Sequence, residues 1–138
     1  EVDFITGCMM LIKRDVFEKI GFLDESYFLY NEDVDYCLRA YRAGIKMMVN
    51  PTSIIYHKER STYDGWKPYH IYYLIRNKLI FMKRHAPGRV KLWTFYVIVA
   101  IVGCTLFLKW IFQLRFDFIR AYMLSLMDFR NGIEGKLS

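Results

Sequence analysis

The hydrophobic pattern of the sequence predicts an α/β fold over residues 1–88, followed by an apolar, membrane-associated helical tail over residues 89–138. Three observations carry this. Residues 4–12, FITGCMMLI, are an apolar run with one glycine, which suits a strand buried on both faces. Two stretches of helical periodicity come next, each closed by a glycine. Further along, residues 92–108 carry no charge and have Trp93 and Trp110 at their ends, as membrane-interface segments do.

Each element has its own signal. In KRDVFEKIG, residues 13–21, Val16, Phe17 and Ile20 make an inner helical face and Gly21 supplies the stop. The connection FLDESYFLYN is unusually aromatic. A second helix is expected over residues 32–43, where Val34, Cys37, Leu38 and Tyr41 share a face, Arg39 and Arg42 lie near the C-terminal end, and Gly44 closes it. Residues 45–57, IKMMVNPTSIIYH, read as two short extended segments around Asn50-Pro51. A long helix then starts at Pro68 and is stopped by Pro87-Gly88. The apolar segment 92–108 is at the short end of a bilayer span. Lys83, Arg84, Arg89 and Lys91 precede it, and Lys109, Arg115 and Arg120 follow it. Basic flanks on both sides favour lying in, or dipping into, one anionic leaflet over a clean crossing. A last helix over residues 116–129 leads to the tail RNGIEGKLS.

Composition narrows the function classes. A net charge of +6 suits nucleic acid, a membrane surface or an anionic small molecule, and 54% hydrophobic residues with 18% aromatics tilt toward the membrane. Nucleic acid is disfavoured as a partner, because the basic residues before residue 70 are interspersed with acids and no nucleic-acid motif occurs. The three cysteines, Cys8, Cys37 and Cys104, fit neither a zinc pattern nor a disulfide framework and read as buried reduced thiols. The sequence begins without Met, on an apparent buried strand, and is expected to be a piece of a longer protein.

The chemistry concentrates in YFLYNEDVDYCLRAYRAG, where Glu32, Asp33 and Asp35 open the second helix. Acidic first turns are common without any chemistry, since the macrodipole favours carboxylates there. A carboxylate at a helix start beneath an aromatic loop is also a plausible general base. A sugar hydroxyl becomes a good nucleophile only as its proton leaves, so the base must stand within about 3 Å of it in the transition state. Asp33 is the candidate base, with Glu32 holding geometry or an acceptor hydroxyl. Asp33-Val34-Asp35 matches a bare D-x-D, but two Asp at i and i+2 on a helix diverge by roughly 200° and do not converge on one ion. His57, at the end of an extended segment, is a candidate metal or phosphate ligand, or a structural residue. Lys58, Arg60 and Arg76 are candidates for a diphosphate, for anionic lipid, or for plain solvation.

Taken together, these residues resemble the C-terminal half of family 2 inverting glycosyltransferases, especially the rhamnosyltransferase-like branch. Gly7, Met10, Phe17, Gly21, Asp24, Glu25, Phe28, Tyr30, Glu32, Asp33, Asp35, Arg39 and Gly44 fall in register with that branch's pattern, and Gly132 and Gly135 resemble its closing G-x-x-G-K. The resemblance implies a GT-A fold, Rossmann-like with a mixed sheet. It implies a nucleotide-diphosphate sugar donor, inversion at the anomeric carbon, and a saccharide or lipid-linked saccharide acceptor, with rhamnose the sugar favoured by branch. Asp33 matches the family's general base and Glu32 its acidic neighbour. Gly7, Tyr30, Asp35 and Arg76 become the candidate substrate-binding residues. His57 matches a histidine that completes the metal and diphosphate site in many members, although KERS follows it here where the family has small residues. The divalent metal, Mg²⁺ or Mn²⁺, is expected to be held mostly by a nucleotide-binding half upstream of Glu1. Residues 1–88 would then carry the acceptor side and the base, and residues 89–138 would hold them at the cytoplasmic face of the cell membrane, by a peripheral, re-entrant or single-span segment. Without its upstream half the chain should transfer sugar poorly or not at all. A competing reading is a non-catalytic, membrane-attached module that binds sugar or nucleotide sugar.

Overall fold

The structure, a computed structural model, describes residues 1–57 and 65–137. Five α-helices occur among them: α1 (Arg14–Ile20), α2 (Glu32–Arg42), α3 (Pro68–His85), α4 (Arg89–Phe112) and α5 (Phe116–Asn131). The chain divides into two compact units, Glu1–Gly65 with Gly135–Ser138, and Trp66–Glu134.

In the first unit α1 and α2 form where periodicity places them. Gly21, at φ 77°, ends α1 with its N–H on Phe17 O at 2.9 Å. The core beside α2 gathers Cys37, Ala40 and Met47, with Val2, Ile5, Met10, Ile20 and Ile45 around them. Of the expected mixed sheet, the described residues show one isolated antiparallel bridge, Val2 to Met47. Segments 4–12 and 45–57 are otherwise irregular, and Leu11, Met48 and Ile54 stand well exposed. A strand differs from a helix in that its hydrogen bonds need a partner from elsewhere, and an apolar run specifies the burial but not the partner. Cys37 is buried as anticipated, but Cys8 and Cys104 are exposed: one lies in the unpaired segment, the other on the outer side of α4.

The second unit is an up–down–up arrangement. Pro68 opens α3 at N1, and His70 Nδ1 accepts the Lys67 N–H at 2.9 Å, occupying a donor that the first turn leaves free. Helices α3 and α5 run in the same direction. Ile71 and Ile75 meet the Phe118–Tyr122 end, while Lys83 lies 5.6 Å over the Phe129 ring and Arg84 pairs with Glu134 at 2.8 Å. α4 runs against α5, with Tyr96 near Phe129 and Trp110 near Phe118. At 24 residues α4 extends the uncharged segment by three residues before it and four after it, because Arg89, Lys91 and Lys109 tolerate a helix as readily as the apolar residues do.

Candidate functional site

The acidic cluster stands at the start of α2, and the loop before it decides how its side chains are presented. Asp24 Oδ1 accepts the Ser26 N–H at 2.9 Å, a short Asx turn that starts the chain back toward the helix. Tyr27 is fully buried, whereas the backbone of Phe28, Tyr30 and Asn31 lies in the left-handed region at φ 60°, 67° and 73°. Asn tolerates that region; for Phe and Tyr it costs on the order of 1 kcal/mol each. Asn31 is the N-cap of α2 and makes no side-chain capping bond.

The three acids have different fates. Asp35 is buried and committed to the fold: Arg39 Nε donates to its Oδ2 at 2.7 Å, and the Tyr27 hydroxyl donates to its Oδ1 at 3.3 Å. Arg39 also donates to Ile20 O and Phe22 O, so the pair ties α2 to the end of α1. Asp33 is half-buried; its Oδ1 accepts the Val34 N–H at 2.8 Å and its Oδ2 the Gly7 N–H at 2.9 Å. Two donors hold a carboxylate that has about four acceptor positions, leaving capacity for a hydroxyl proton. Glu32 is half-buried, and its Oε2 has no hydrogen-bond partner among the described residues. Burial pushes the Glu32 carboxyl above its ordinary range; a backbone hydrogen bond opposes this and the Asp33 charge adds to it.

Glu32 also faces a cavity of about 480 Å³, with Leu23, Asp24, Glu25, Phe28, Gly135 and Lys136 as its other walls. Gly135 donates to Ser26 O at 2.6 Å, and Lys136 Nζ lies 5.7 Å from the centre of the Phe28 ring. The tail thus returns to the aromatic loop. Its Gly-x-x-Gly-Lys spacing was visible in the sequence; its place against this loop was not.

The remaining candidates lie apart in character. Tyr30 is half-buried in the strained loop. His57 is exposed, and no group of three His, Cys, Asp or Glu side chains able to hold a metal occurs among the described residues. The residues described therefore do not make a divalent-metal site by themselves. Lys58 and Arg60 lie outside the described residues. Arg76 belongs to the second unit and is fully buried; its Nη1 donates to Tyr72 Oη and its Nε to Asn77 Oδ1, both at 3.0 Å. The Tyr72 hydroxyl in turn donates to Asp128 Oδ2 at 2.6 Å. Burial and then this bond to Asp128 push the Tyr72 phenol up to about 12.

Known proteins resemble this chain over part or most of its length. The profile of the family described as "Glycosyltransferase like family 2" matches residues 1–70. A low-salt glycan biosynthesis hexosyltransferase of Haloferax volcanii is 46% identical over 46 residues, which are 33% of this chain and 15% of that protein. An N-acetylglucosaminyl-diphospho-decaprenol L-rhamnosyltransferase of Mycobacterium tuberculosis is 37% identical over 62 residues, 44% of this chain and 20% of that protein. A dTDP-rhamnosyl transferase of Shigella flexneri is 25% identical over 134 residues, 91% of this chain and 44% of that protein. The chain thus spans less than half the length of these relatives. No solved structure matches it.

Proposed function

Since the chain belongs to the family 2-like glycosyltransferases, in their rhamnosyltransferase-like branch, we propose that it carries the acceptor side and general base of an inverting sugar transferase. The observation that carries this reading is the Asp33 carboxylate, fixed between the Gly7 and Val34 amides at the head of α2 within the family-matched segment. The donor is a nucleotide-diphosphate sugar, with rhamnose favoured by the branch. The acceptor is a saccharide or a lipid-linked saccharide of a cell-surface polysaccharide.

The mechanism is a single displacement. Asp33 takes the proton of the acceptor hydroxyl as its oxygen forms a bond to the anomeric carbon. The bond from that carbon to the diphosphate breaks on the opposite face, and its electron pair leaves with the diphosphate, so configuration inverts. Glu32, desolvated beside the cavity, orients acceptor hydroxyls. In a longer chain, residues before Glu1 would supply the nucleotide site, the strands that complete a GT-A mixed sheet around segments 4–12 and 45–57, and most of the ligands of a divalent metal that would stabilise the departing diphosphate, with exposed His57 as the one ligand this segment would add. Residues 1–88 form the catalytic part, and the apolar tail of residues 89–138 attaches it to the cytoplasmic face of the membrane.

The test is sugar transfer from a panel of nucleotide-diphosphate sugars by an upstream-extended chain and its Asp33→Asn variant. Loss of a base of this kind lowers turnover by about 10²–10⁴-fold while donor binding persists. Equal turnover in the variant would remove Asp33 from the role. In the same chain His57→Ala should weaken the metal titration, and an unchanged titration would leave His57 structural.

A further inference from the structure

We propose that α4 is an in-plane membrane helix, lying lengthwise at the headgroup–acyl boundary of an anionic leaflet with one long face in lipid, and that it does not cross the bilayer. This rests on the membrane attachment proposed above and gives it a geometry.

α4 has two apolar faces. One contains Tyr96, Val99, Gly103, Leu106 and Trp110, spaced by three or four residues, and packs on its neighbours: the Tyr122 hydroxyl reaches Val99 O at 3.4 Å, and Trp110 joins Phe118 and Tyr122 in a buried cluster. The other contains Val90, Trp93, Val97, Ile101, Leu108 and Phe112, with exposed, uncharged Cys104 and Thr105 in the turn between Ile101 and Leu108, and the six are from 53% (Val97) to 85% (Phe112) exposed. A helix whose outer face meets water carries its charges there. This face carries none over its central turns, and a contiguous apolar stripe of that length marks an interaction surface.

The charges at its ends identify the occupant. α4 contains Arg89 and Lys91 at one end, Lys109 at the other, and no acid. Long cationic side chains at both ends of an apolar stripe can extend to phosphate headgroups while their stems stay in the boundary. Two copies paired through this face would bring those cations against one another in either orientation. An anionic lipid surface complements both ends at once.

The packing of α4 excludes a crossing. Its 24 residues, at a rise of about 1.5 Å each, are long enough to span, and it is the one helix among the described residues that is. But α4 is bound lengthwise to α5, from Tyr96 beside Phe129 to Trp110 beside Phe118. A crossing α4 would take α5 into hydrocarbon. α5 has only 16 residues and exposes Asp117, Arg120 and Arg130, and α3 alongside it exposes Lys78 at mid-helix. A helix of that length falls short of a span, and charges at such depth are costly. Lying in the plane, α4 leaves all of them on the aqueous side.

The experiment uses the full 138-residue chain and sealed vesicles of equal parts phosphatidylcholine and phosphatidylglycerol, or of phosphatidylcholine alone. The chain should float with the anionic vesicles and release with salt. Lys91→Gln and Lys109→Gln should each weaken that binding about fivefold, and Ile101→Glu at least about tenfold, with helix content unchanged because Ile101 is exposed. For geometry, Pro87→Cys and Gln113→Cys are placed separately in a Cys8→Ser/Cys104→Ser background and treated with a membrane-impermeant maleimide. Labelling of both ends from outside the vesicle supports the in-plane helix. Protection of one end until detergent is added overturns it in favour of a crossing while leaving attachment intact. Absence of vesicle binding, with concentration-dependent dimers in its place, overturns attachment and geometry together; neither result bears on Asp33.

Discussion

The backbone N–H of Gly7 donates to Asp33 Oδ2 at 2.9 Å, joining residues 26 positions apart in the sequence. A Cβ built on Gly7 would lie 3.4 Å from Asp33 Cβ and 3.6 Å from Oδ2. The glycine therefore lets an amide approach the carboxylate with no side chain between them. Gly7→Ala, which keeps the N–H and makes ordinary contact, should leave stability within about 0.5 kcal/mol. Gly7→Val adds branches toward the carboxylate and should displace it. In the upstream-extended chain we expect single-turnover transfer to fall about 100-fold, the usual result of misplacing a catalytic group by about 1 Å, with donor affinity unchanged. An unaltered rate in Gly7→Val would separate the amide from the base.

Arg39 and Asp35 hold α2 to the end of α1. Asp35 is almost fully buried, and Arg39 keeps a quarter of its side-chain surface exposed. Arg39→Met strands a buried carboxylate and removes two bonds to Ile20 O and Phe22 O. The expected cost is about 3 kcal/mol, at the lower end for a broken buried pair because Arg39 is partly in water. The midpoint of urea unfolding followed by circular dichroism measures it. Arg39→Lys should recover only part, because an ammonium cannot make the fork.

Tyr72 links Arg76 to Asp128, and its phenol is raised from 10.0 to about 12. The folded state thus holds this proton more tightly than the unfolded chain does. The contribution is fully present below pH 10 and is lost as pH rises through about 12. Ultraviolet titration of the native chain should show a tyrosine ionising only at about pH 12, absent in Tyr72→Phe. The variant should also lose the part of the alkaline destabilisation that falls in that window.

Gly103 and Tyr122 are in direct contact where α4 meets α5. A Cβ at Gly103 would lie 1.9 Å from Tyr122 Oη and 2.7 Å from Cζ. Gly103→Ala must push the phenol aside and lose its bond to Val99 O. We expect destabilisation by about 1–3 kcal/mol, as for other overpacked contacts. Tyr122→Phe should relieve part of it, giving a double-mutant coupling of about 1 kcal/mol. Additive losses in thermal unfolding would mean that the two residues do not share this contact.

The elements legible in the sequence are those whose hydrogen bonds are internal. Val16, Phe17 and Ile20 with Gly21, and Pro68 with Pro87-Gly88, located α1 and α3 closely, because a helix needs only its own residues and their punctuation. Residues 4–12 lacked that advantage: their apolar run indicated burial, but the one β-bridge among the described residues joins Val2 to Met47, outside that run. Within the site, spacing could not separate the three acids. Asp35 is sorted from Asp33 by Arg39, an i+4 neighbour that was visible, and by Tyr27, whose reach depends on the loop. The Gly7 amide on Asp33 depends on a contact between distant segments, which no local pattern encodes.

The tail residues that close the cavity beside Phe28 also change the topology of the chain. Residues 66–134 leave the first unit and residues 135–138 return to it, so α3, α4 and α5 form a loop held at both ends. The closure entropy of such a loop grows only with the logarithm of its length. The excursion can therefore lengthen or shorten between α3 and α5 at little thermodynamic cost to the acidic cluster. A cut within it has a different effect. It opens the covalent loop, so that Gly135 and Lys136 are held near Ser26 and Phe28 by non-covalent contacts alone, the packing of α5 on α3 and the Arg84–Glu134 pair among them.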